Sequence, residues 1–141
     1  MSNIFSFPLG LGLSKTRLPL IPVQFGKCDL CFLIDTGSTH NILFDFVYQY
    51  FKLEFMLFKE KQNVIGIEGK YKEALITEAT FSFEGIGYTS SFLVLDASNA
   101  IAQVQHETGI QIHGVLGTQF LIDNEWIIDF EEGVIKTTKT A

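Results

Sequence analysis

The sequence predicts an all-β fold, a small closed barrel or sandwich with one or two short helices. Many short strand-like segments recur along the chain and are separated by turns that contain Gly, as is typical of β barrels and sandwiches. Apolar residues make up 47% of the 141 residues and include fourteen Phe, so the chain can bury a core without metals or disulfides. Because no linker, low-complexity tract or repeat interrupts the pattern, we expect one domain over residues 1–141.

The first predicted strands form a hairpin. Residues 17–25 contain two Pro and suit an edge strand or the start of a strand. Gly26 and Lys27 suit a two-residue turn into Cys28–Ile34. Since the five apolar residues 30–34 do not alternate with polar ones, we expect this second strand to be buried on both faces.

The rest of the chain is predicted as strands and short helices. The further strand-like segments are residues 64–70, 79–83, 88–95, 110–112, 126–130 and 134–137. Short helices are expected over residues 45–53, from Ser98 as capping residue to about His106 with Gly109 beyond its end, and around Phe120. Turns are expected at residues 85–87 and 131–133.

Composition and charge exclude several kinds of partner. The 16 acidic and 10 basic residues give a net charge of −6, which is repelled by phosphate backbones and argues against nucleic acid. No apolar run approaches the ~18 residues of a membrane span, and residues 1–15 lack the features of a signal peptide. The two Cys are too few for a disulfide framework. We therefore expect a cytoplasmic protein with neither a nucleic-acid nor a membrane partner.

Asp35 is the strongest candidate for a functional residue. It directly follows five apolar residues, so a core strand delivers its carboxylate to the interior or beside it, where an ionised group must be paired, hydrogen-bonded or protonated. Gly37 permits a sharp turn, and Thr36 and Ser38 place hydroxyl groups on either side. The alternative is a local turn in which Asp35 accepts hydrogen bonds from the amides that follow it.

The context of Asp35 resembles the single-domain retropepsin-like aspartic proteases. Residues 32–38 (FLIDTGS) match that family's signature of apolar residues followed by Asp-Thr-Gly-Ser. Residues 114–121 (GVLGTQFL) are similar to its paired apolar residues, Gly and short helix, and residues 126–135 resemble the closing strands of bacterial members. The resemblance covers residues 18–135. It implies the retropepsin-like fold, with a structural loop formed by Gly114, Val115, Leu116 and Gly117.

The chemistry of peptide hydrolysis requires a second carboxylate. Without a metal or covalent intermediate, one group must deprotonate water and another must protonate the amide, and two neighbouring carboxyls that share a proton supply both. The only other acid-Thr-Gly sequence, Glu107-Thr108-Gly109, does not follow an apolar strand. We therefore expect a homodimer in which each subunit contributes Asp35, an endopeptidase acting on a peptide or protein substrate and needing neither cofactor nor metal.

The resemblance also implies roles for neighbouring residues. Thr36 would hydrogen-bond across the two-fold axis, Gly37 would let the two loops approach, and Ser38 would support Asp35. A hairpin flap would cover the cleft, and its best candidate comprises Ile65, Gly66, Ile67, Glu68 and Gly69, although a plain hairpin is nearly as well supported. Viral members join their termini at the dimer interface, which here would be residues 4–7 and 134–141.

Rival interpretations concern the whole site and a few single residues. The scaffold could serve as an inactive dimeric module that binds peptides or proteins, or Asp35 could merely form a turn. Cys28 and Cys31 are expected to be buried free thiols, since their odd spacing on a strand places them on opposite faces. His113 is expected to be a packed, hydrogen-bonded residue, and Gly10 a loop residue.

Overall fold

We describe a computed structural model, which covers residues 4–51, 56–65 and 71–139. The strands in chain order are β1 (Phe5–Pro8), β2 (Leu20–Phe25), β3 (Cys28–Ile34), β4 (Asn41–Phe44), β5 (Met56–Ile65), β6 (Tyr71–Phe83), β7 (Ile86–Leu95), β8 (Gly114–Leu116), β9 (Ile127–Asp129) and β10 (Val134–Thr137). The helices are α1 (Gly10–Thr16), α2 (Asp45–Phe51), α3 (Ser98–Thr108) and α4 (Thr118–Asp123). In these ranges no helix is long and apolar enough to span a bilayer.

Six strands close into a small barrel. Their order is β2-β3-β8-β4-β7-β6, and the pairing of Gln24 with Ser82 joins β6 back to β2. Strand β5 pairs with residues 71–78 of β6. Strand β2 pairs with β6 further along, at Ser82. The predicted all-β closed fold is thus confirmed, and Gly26 forms the predicted β2–β3 turn with a φ of 58°.

Aromatic side chains fill the barrel. On β6, Ala79, Phe81 and Phe83 share the inward face, since each is at most 2% exposed. The ring centroid of Phe81 lies 5.7 Å from that of Phe32 on β3. The prediction that β3 is buried on both faces was wrong. Over residues 30–34, buried residues such as Phe32, which face the barrel core, alternate with half-buried residues on the other face.

The two ends of the described chain pair with each other. Strand β10 lies at the centre of a three-stranded sheet, with antiparallel β1 on one side and antiparallel β9 on the other. Phe5 and Ile135 are buried on its inner face, where the Phe5 ring lies edge-on to Phe83 at 5.0 Å. Residues 4–7, expected at a dimer interface, therefore pair with residues 134–137 of the same chain.

Some local predictions differ from the structure. Helix α1 lies where Gly10 was expected in a loop, and residues 110–112 are not a strand although their apolar residues alternate. The β6–β7 turn is centred on Glu84 and Gly85, both with positive φ, slightly before the predicted position. The capping side chain at the start of α3 is that of Asp96 and not that of Ser98. Asp96 Oδ1 accepts a hydrogen bond from the Ser98 amide. Gly109 ends α3 in the left-handed conformation, as predicted.

Candidate active site

Strand β8 fixes the position at which Asp35 leaves the barrel. It runs parallel to β3 and antiparallel to β4, so it lies between the two strands that flank the Asp35 loop in sequence. The pairing of Ile34 with Leu116 is followed directly by a hydrogen bond from the Asp35 amide to the Leu116 carbonyl, at 3.0 Å. The Asp35 backbone is therefore held where β3 and β8 both end.

Gly117 allows the loop after Asp35 to pack against the segment that follows β8. A Cβ atom at Gly117 would lie 2.5 Å from the His40 carbonyl oxygen and 2.7 Å from that of Ser38, closer than packed atoms allow. Gly114 is equally constrained, since its Cβ would lie 2.8 Å from the Ile42 carbonyl oxygen. Residues 114–116 of the expected structural loop thus form strand β8, and Gly117 packs against the loop that follows Asp35.

The start of α4 holds the same loop through its hydrogen-bond donors. The Thr118 amide donates to the Ser38 carbonyl at 2.7 Å, and the Thr118 hydroxyl donates to the Thr36 carbonyl at 2.9 Å. Amides at a helix N-terminus have no partner within the helix, so the loop carbonyls satisfy them. The loop is consequently tied at two points to a helix that packs on the core through the buried side chain of Phe120.

The Asp35 carboxylate is half-buried and bound on one side. Its Oδ1 accepts a hydrogen bond from the Gly37 amide at 2.8 Å, whereas no described residue bonds Oδ2. Thr36 and Gly37 are exposed in the single chain. One carboxylate oxygen is therefore oriented by the loop, and the other has no hydrogen-bond partner among the described residues.

The remaining predicted site residues are placed only in part. The Ser38 hydroxyl donates to the His40 carbonyl at 2.7 Å and not to Asp35, so its expected support of Asp35 stays a prediction. Strand β5 pairs with β6 up to Ile65 opposite Tyr71, as a hairpin requires. Gly66, Ile67, Glu68 and Gly69 of the expected flap lie outside the described residues.

Asn41 is a positioning residue that the sequence argument missed. Its side chain is 6% exposed, and its Oδ1 accepts a hydrogen bond from the Gly117 amide at 3.0 Å. Its Nδ2 donates to the Ser90 hydroxyl at 2.9 Å and to the Ser91 carbonyl at 3.2 Å. Both polar atoms of this buried amide thus join β4 and β7 to the loop that packs on Asp35. An Asn that directly precedes an apolar strand was the signal available in the sequence.

His113 supports strand β3 through hydrogen bonds to Cys31, which belongs to that strand. The Cys31 amide donates to His113 Nδ1 at 2.9 Å, and the His113 amide donates to the Cys31 carbonyl at 2.9 Å. Burial lowers the pKa of His113, and an Nδ1 that accepts a hydrogen requires the neutral ring. Burial raises the pKa of the half-buried Cys31 thiol to about 11. His113 is hydrogen-bonded as predicted, and Cys28 and Cys31 are half-buried free thiols rather than fully buried ones.

A cavity of about 160 Å³ adjoins the Asp35 loop. It lies between the end of that loop and strands β6 and β7, and its lining residues are His40, Asn41, Ile76, Ser91, Phe92 and Leu93. Asp35 itself is not among the lining residues.

Comparison with solved structures shows the fold of the chain. The retroviral protease-like domain of Ddi1 from Leishmania major has a TM-score of 0.60 at 10% identity, with 84% of this chain and 86% of that chain covered. The retropepsin-like aspartic protease from Rickettsia conorii has a TM-score of 0.54 at 12% identity, with coverage of 94% and 89%. EIAV protease, in complex with an inhibitor, has a TM-score of 0.53 at 22% identity, with coverage of 75% and 86%.

These similarities confirm the predicted retropepsin-like fold. The chain has this fold over the 75–94% of its length that these neighbours cover, and the resemblance noted from residues 32–38 and 114–121 is consistent with it. No protein-family model matches the sequence, and no curated protein matches it significantly. At identities of 10–22% the neighbours show the fold of this chain and not its activity.

Proposed function

We propose that this chain is an aspartic endopeptidase that acts as a homodimer, with one Asp35 from each subunit in a shared site. The observation that supports the proposal most directly is the geometry at Asp35. The carboxylate is delivered by the end of β3, is oriented through Oδ1 by the Gly37 amide, and has an Oδ2 that no described residue engages. The exposed backbone of Thr36 and Gly37 beside it leaves room for a second loop of the same kind.

The proposed chemistry uses two identical carboxyls in different protonation states. Two carboxylates at close distance do not both ionise, so the pair holds one proton in common. The ionised Asp35 takes a proton from a water molecule as that water attacks the scissile carbonyl carbon, and the protonated Asp35 donates its proton to the carbonyl oxygen. Collapse of the tetrahedral intermediate then transfers a proton to the leaving amine and restores the starting state of the pair.

The position of the cavity supports a peptide as the substrate. An extended peptide that passes Asp35 can place a side chain in the space beside His40 and Leu93, and a flap formed by residues 65–69 would cover its backbone. The cavity walls contain apolar Ile76 and Leu93, which favour an apolar side chain next to the cleaved bond.

A non-catalytic peptide- or protein-binding dimer is the alternative function. The hydrogen bond from the Gly37 amide to Asp35 Oδ1 is compatible with this alternative as well, because this local turn forms in a single chain and needs no second carboxylate. In that case the retropepsin-like scaffold would bind extended peptides without hydrolysing them. The two functions differ in a single measurable property, the release of cleaved product.

The substitution Asp35→Asn tests the proposed catalysis. The amide keeps an oxygen that can accept the Gly37 hydrogen bond, so we expect the variant to fold and dimerise like the parent chain. It cannot act as the base, so we expect peptide cleavage to fall by at least about 10³-fold. The measurement is product formation from a peptide library between pH 4 and 7, followed by mass spectrometry, with dimerisation measured by sedimentation.

The control is Asp45→Asn, which removes an equal charge from an acidic residue at the start of α2, outside the loop. Cleavage by Asp35→Asn at the parent rate would contradict the proposal. Tight peptide binding by the parent chain without any product would establish the alternative.

A further inference from the structure

The strand pairing that fixes Asp35 is short. Strand β8 spans Gly114–Leu116 and pairs in parallel with residues 32–34 of β3. At the end of this pairing, the Asp35 amide donates to the Leu116 carbonyl. Parallel pairing is slightly less stable per residue than antiparallel pairing, so a ladder of this length depends on the hydrogen bonds at its ends. The group at the opposite end of β8 therefore affects where Asp35 is held.

His113 is the group at that opposite end. Its amide donates to the Cys31 carbonyl at 2.9 Å, and its ring Nδ1 accepts the Cys31 amide hydrogen at 2.9 Å. Its carbonyl accepts the Phe44 amide hydrogen at 3.2 Å. Since Cys31 belongs to β3 and Phe44 to β4, this one residue joins the start of β8 to both strands that flank the Asp35 loop in sequence.

The hydrogen bond to the ring exists only while Nδ1 carries no hydrogen. A neutral imidazole has one nitrogen that donates and one that accepts, whereas both nitrogens of a protonated ring donate. Protonation of His113 therefore removes the acceptor of the Cys31 amide, which belongs to a half-buried residue. A buried amide without a partner is costly, so either the ring turns away or β8 moves relative to β3.

The elements around His113 carry two acidic side chains, Asp29 on β3 and Asp45 on α2. Their Oδ1 atoms accept hydrogen bonds from Gln24 and Gln49 respectively, and neither carboxylate contributes to the pKa of the ring, which burial lowers. Strands β4 and β8 have no titratable side chain. The other titratable side chains of β3 and α2 are Cys28, Cys31, Tyr48 and Tyr50. No ion pair in the described residues therefore compensates a protonated His113.

A movement of β8 is transmitted to the Asp35 loop. Leu116 at the end of β8 holds the Asp35 amide, and Gly117 directly after it packs against the Ser38 and His40 carbonyl oxygens with no room for a Cβ atom. Because these contacts are close, β8 cannot shift without displacing the loop. The protonation state of His113 is thus connected to Asp35 through backbone contacts at both ends of one short strand.

We propose that His113 is a positioning residue for Asp35, which keeps β8 in register between β3 and β4 only while its ring is neutral, so that acid releases the Asp35 loop. The consequence for cleavage rests on the proposed function, whereas the consequence for the loop does not. The protease then has an acid limit set by a histidine outside the pair of carboxyls. This limit is separate from the one at which both carboxyls of the pair become protonated.

The test uses His113→Asn, with His106→Asn as the matched control. Asn Oδ1 lies as many bonds from the backbone as His Nδ1, so it can accept the Cys31 amide hydrogen, and it does not titrate. His106 is exposed on α3. Relative to the parent, we expect the kcat/KM of His113→Asn for peptide cleavage to be nearly equal at pH 7.5 and higher by at least about threefold at pH 4.5. The profile of His106→Asn should follow that of the parent.

A second measurement reports on the loop without using cleavage. Proton–nitrogen correlation spectra of the parent and of both variants are recorded over the same pH range. In the parent and in His106→Asn, the Cys31 and Asp35 amide resonances should shift with the midpoint of the His113 ring resonances. In His113→Asn, which retains both Asp35 carboxyls, this shift should be absent. If His113→Asn does not fold, the parent spectra decide, since a Cys31 amide that does not follow the ring overturns the inference.

The inference and the proposed function fail in different ways. Peptide cleavage with identical pH profiles in the parent and His113→Asn keeps the proposed function and overturns the role of His113. Cys31 and Asp35 amides that follow the ring, in a chain that releases no product at any pH, support the role of His113 and exclude catalysis.

Discussion

At the scale of single residues, His113 links the protonation state of one side chain to the strand that carries Asp35. Its Nδ1 accepts the Cys31 amide hydrogen, and its own amide donates to the Cys31 carbonyl. A second proton on the ring would sit on Nδ1, which would then face the Cys31 amide hydrogen with a hydrogen of its own. The ring contact with Phe46, at 5.8 Å between centroids, keeps His113 between β3 and α2.

The substitution His113→Gln tests this link through the pH dependence of stability. Burial lowers the folded-state pKa of His113 below its ordinary 6.5, so the unfolded chain binds the proton more readily. The stabilisation is present above pH 6.5 and is lost as pH falls below it. We therefore expect the parent chain to lose more free energy of unfolding between pH 7.5 and 5.5 than His113→Gln does, measured by urea unfolding.

His106→Gln provides the matched control for this measurement. His106 is exposed on α3, so its substitution removes an imidazole without touching β3. It should leave the pH dependence of the parent chain intact. Equal pH dependence in the parent and His113→Gln chains would contradict the assigned role of His113.

The site was predictable from sequence only where residues are adjacent in the chain. Asp35 was identifiable because an acid that follows a buried strand is costly unless it is held, and Gly37 because the chain must turn there. Asn41 and Thr118 were not, since their partners Gly117 and Thr36 are 76 and 82 residues away and the contacts depend on the tertiary fold.

At the scale of secondary-structure elements, the packing of the segment after β8 against the Asp35 loop depends on glycine. Gly117→Ala would place a methyl group 2.5 Å from the His40 carbonyl oxygen, and a backbone atom cannot move away as a flexible side chain does. We expect a loss of about 1–3 kcal/mol of unfolding free energy and, under the proposed function, a fall in peptide cleavage. Chemical denaturation and a peptide assay measure the two effects.

Gly87→Ala is the matched control for the glycine substitution. Gly87 lies in β7, and a Cβ there meets no heavy atom within 4 Å. The same chemical change should therefore cost little and leave cleavage unaltered. If the two variants were equally stable, the close packing assigned to Gly117 would be incorrect.

Local signals predicted elements whose turns and caps are encoded nearby. Gly26 gives the β2–β3 hairpin, and Gly109 ends α3. Strand β4 was not predicted, and neither was its parallel pairing with the predicted strand β7, because parallel pairing joins segments that no turn connects. Helix α1 was missed since Gly10 and Gly12 lower helix propensity, and the left-handed Arg17 after it gives no sequence signal.

At the scale of the whole molecule, the core depends on a strand from the last part of the chain. Ile135 is fully buried on the central strand of the three-stranded sheet. We expect Ile135→Ala to lower the free energy of unfolding by about 2–5 kcal/mol, through lost apolar burial and the cavity it leaves. Leu11→Ala, at a side chain that is 72% exposed, should change it by at most about 0.5 kcal/mol.

Urea unfolding of both variants at one protein concentration gives the comparison. A small change for Ile135→Ala would mean that the three-stranded sheet contributes little to the stability of the barrel. The barrel and the sheet would then unfold as separate units, with two transitions instead of one.

The pairing of β1 with β10 also sets an order of events during biosynthesis. The hydrogen-bonding partner of Phe5 is Thr137, so β1 has no strand to join until the ribosome has translated almost all of the described chain. Contacts between distant segments form slowly, and an apolar strand that waits for its partner is exposed to aggregation. The nascent chain therefore carries an unpaired apolar strand until β10 has been synthesised and has left the exit tunnel.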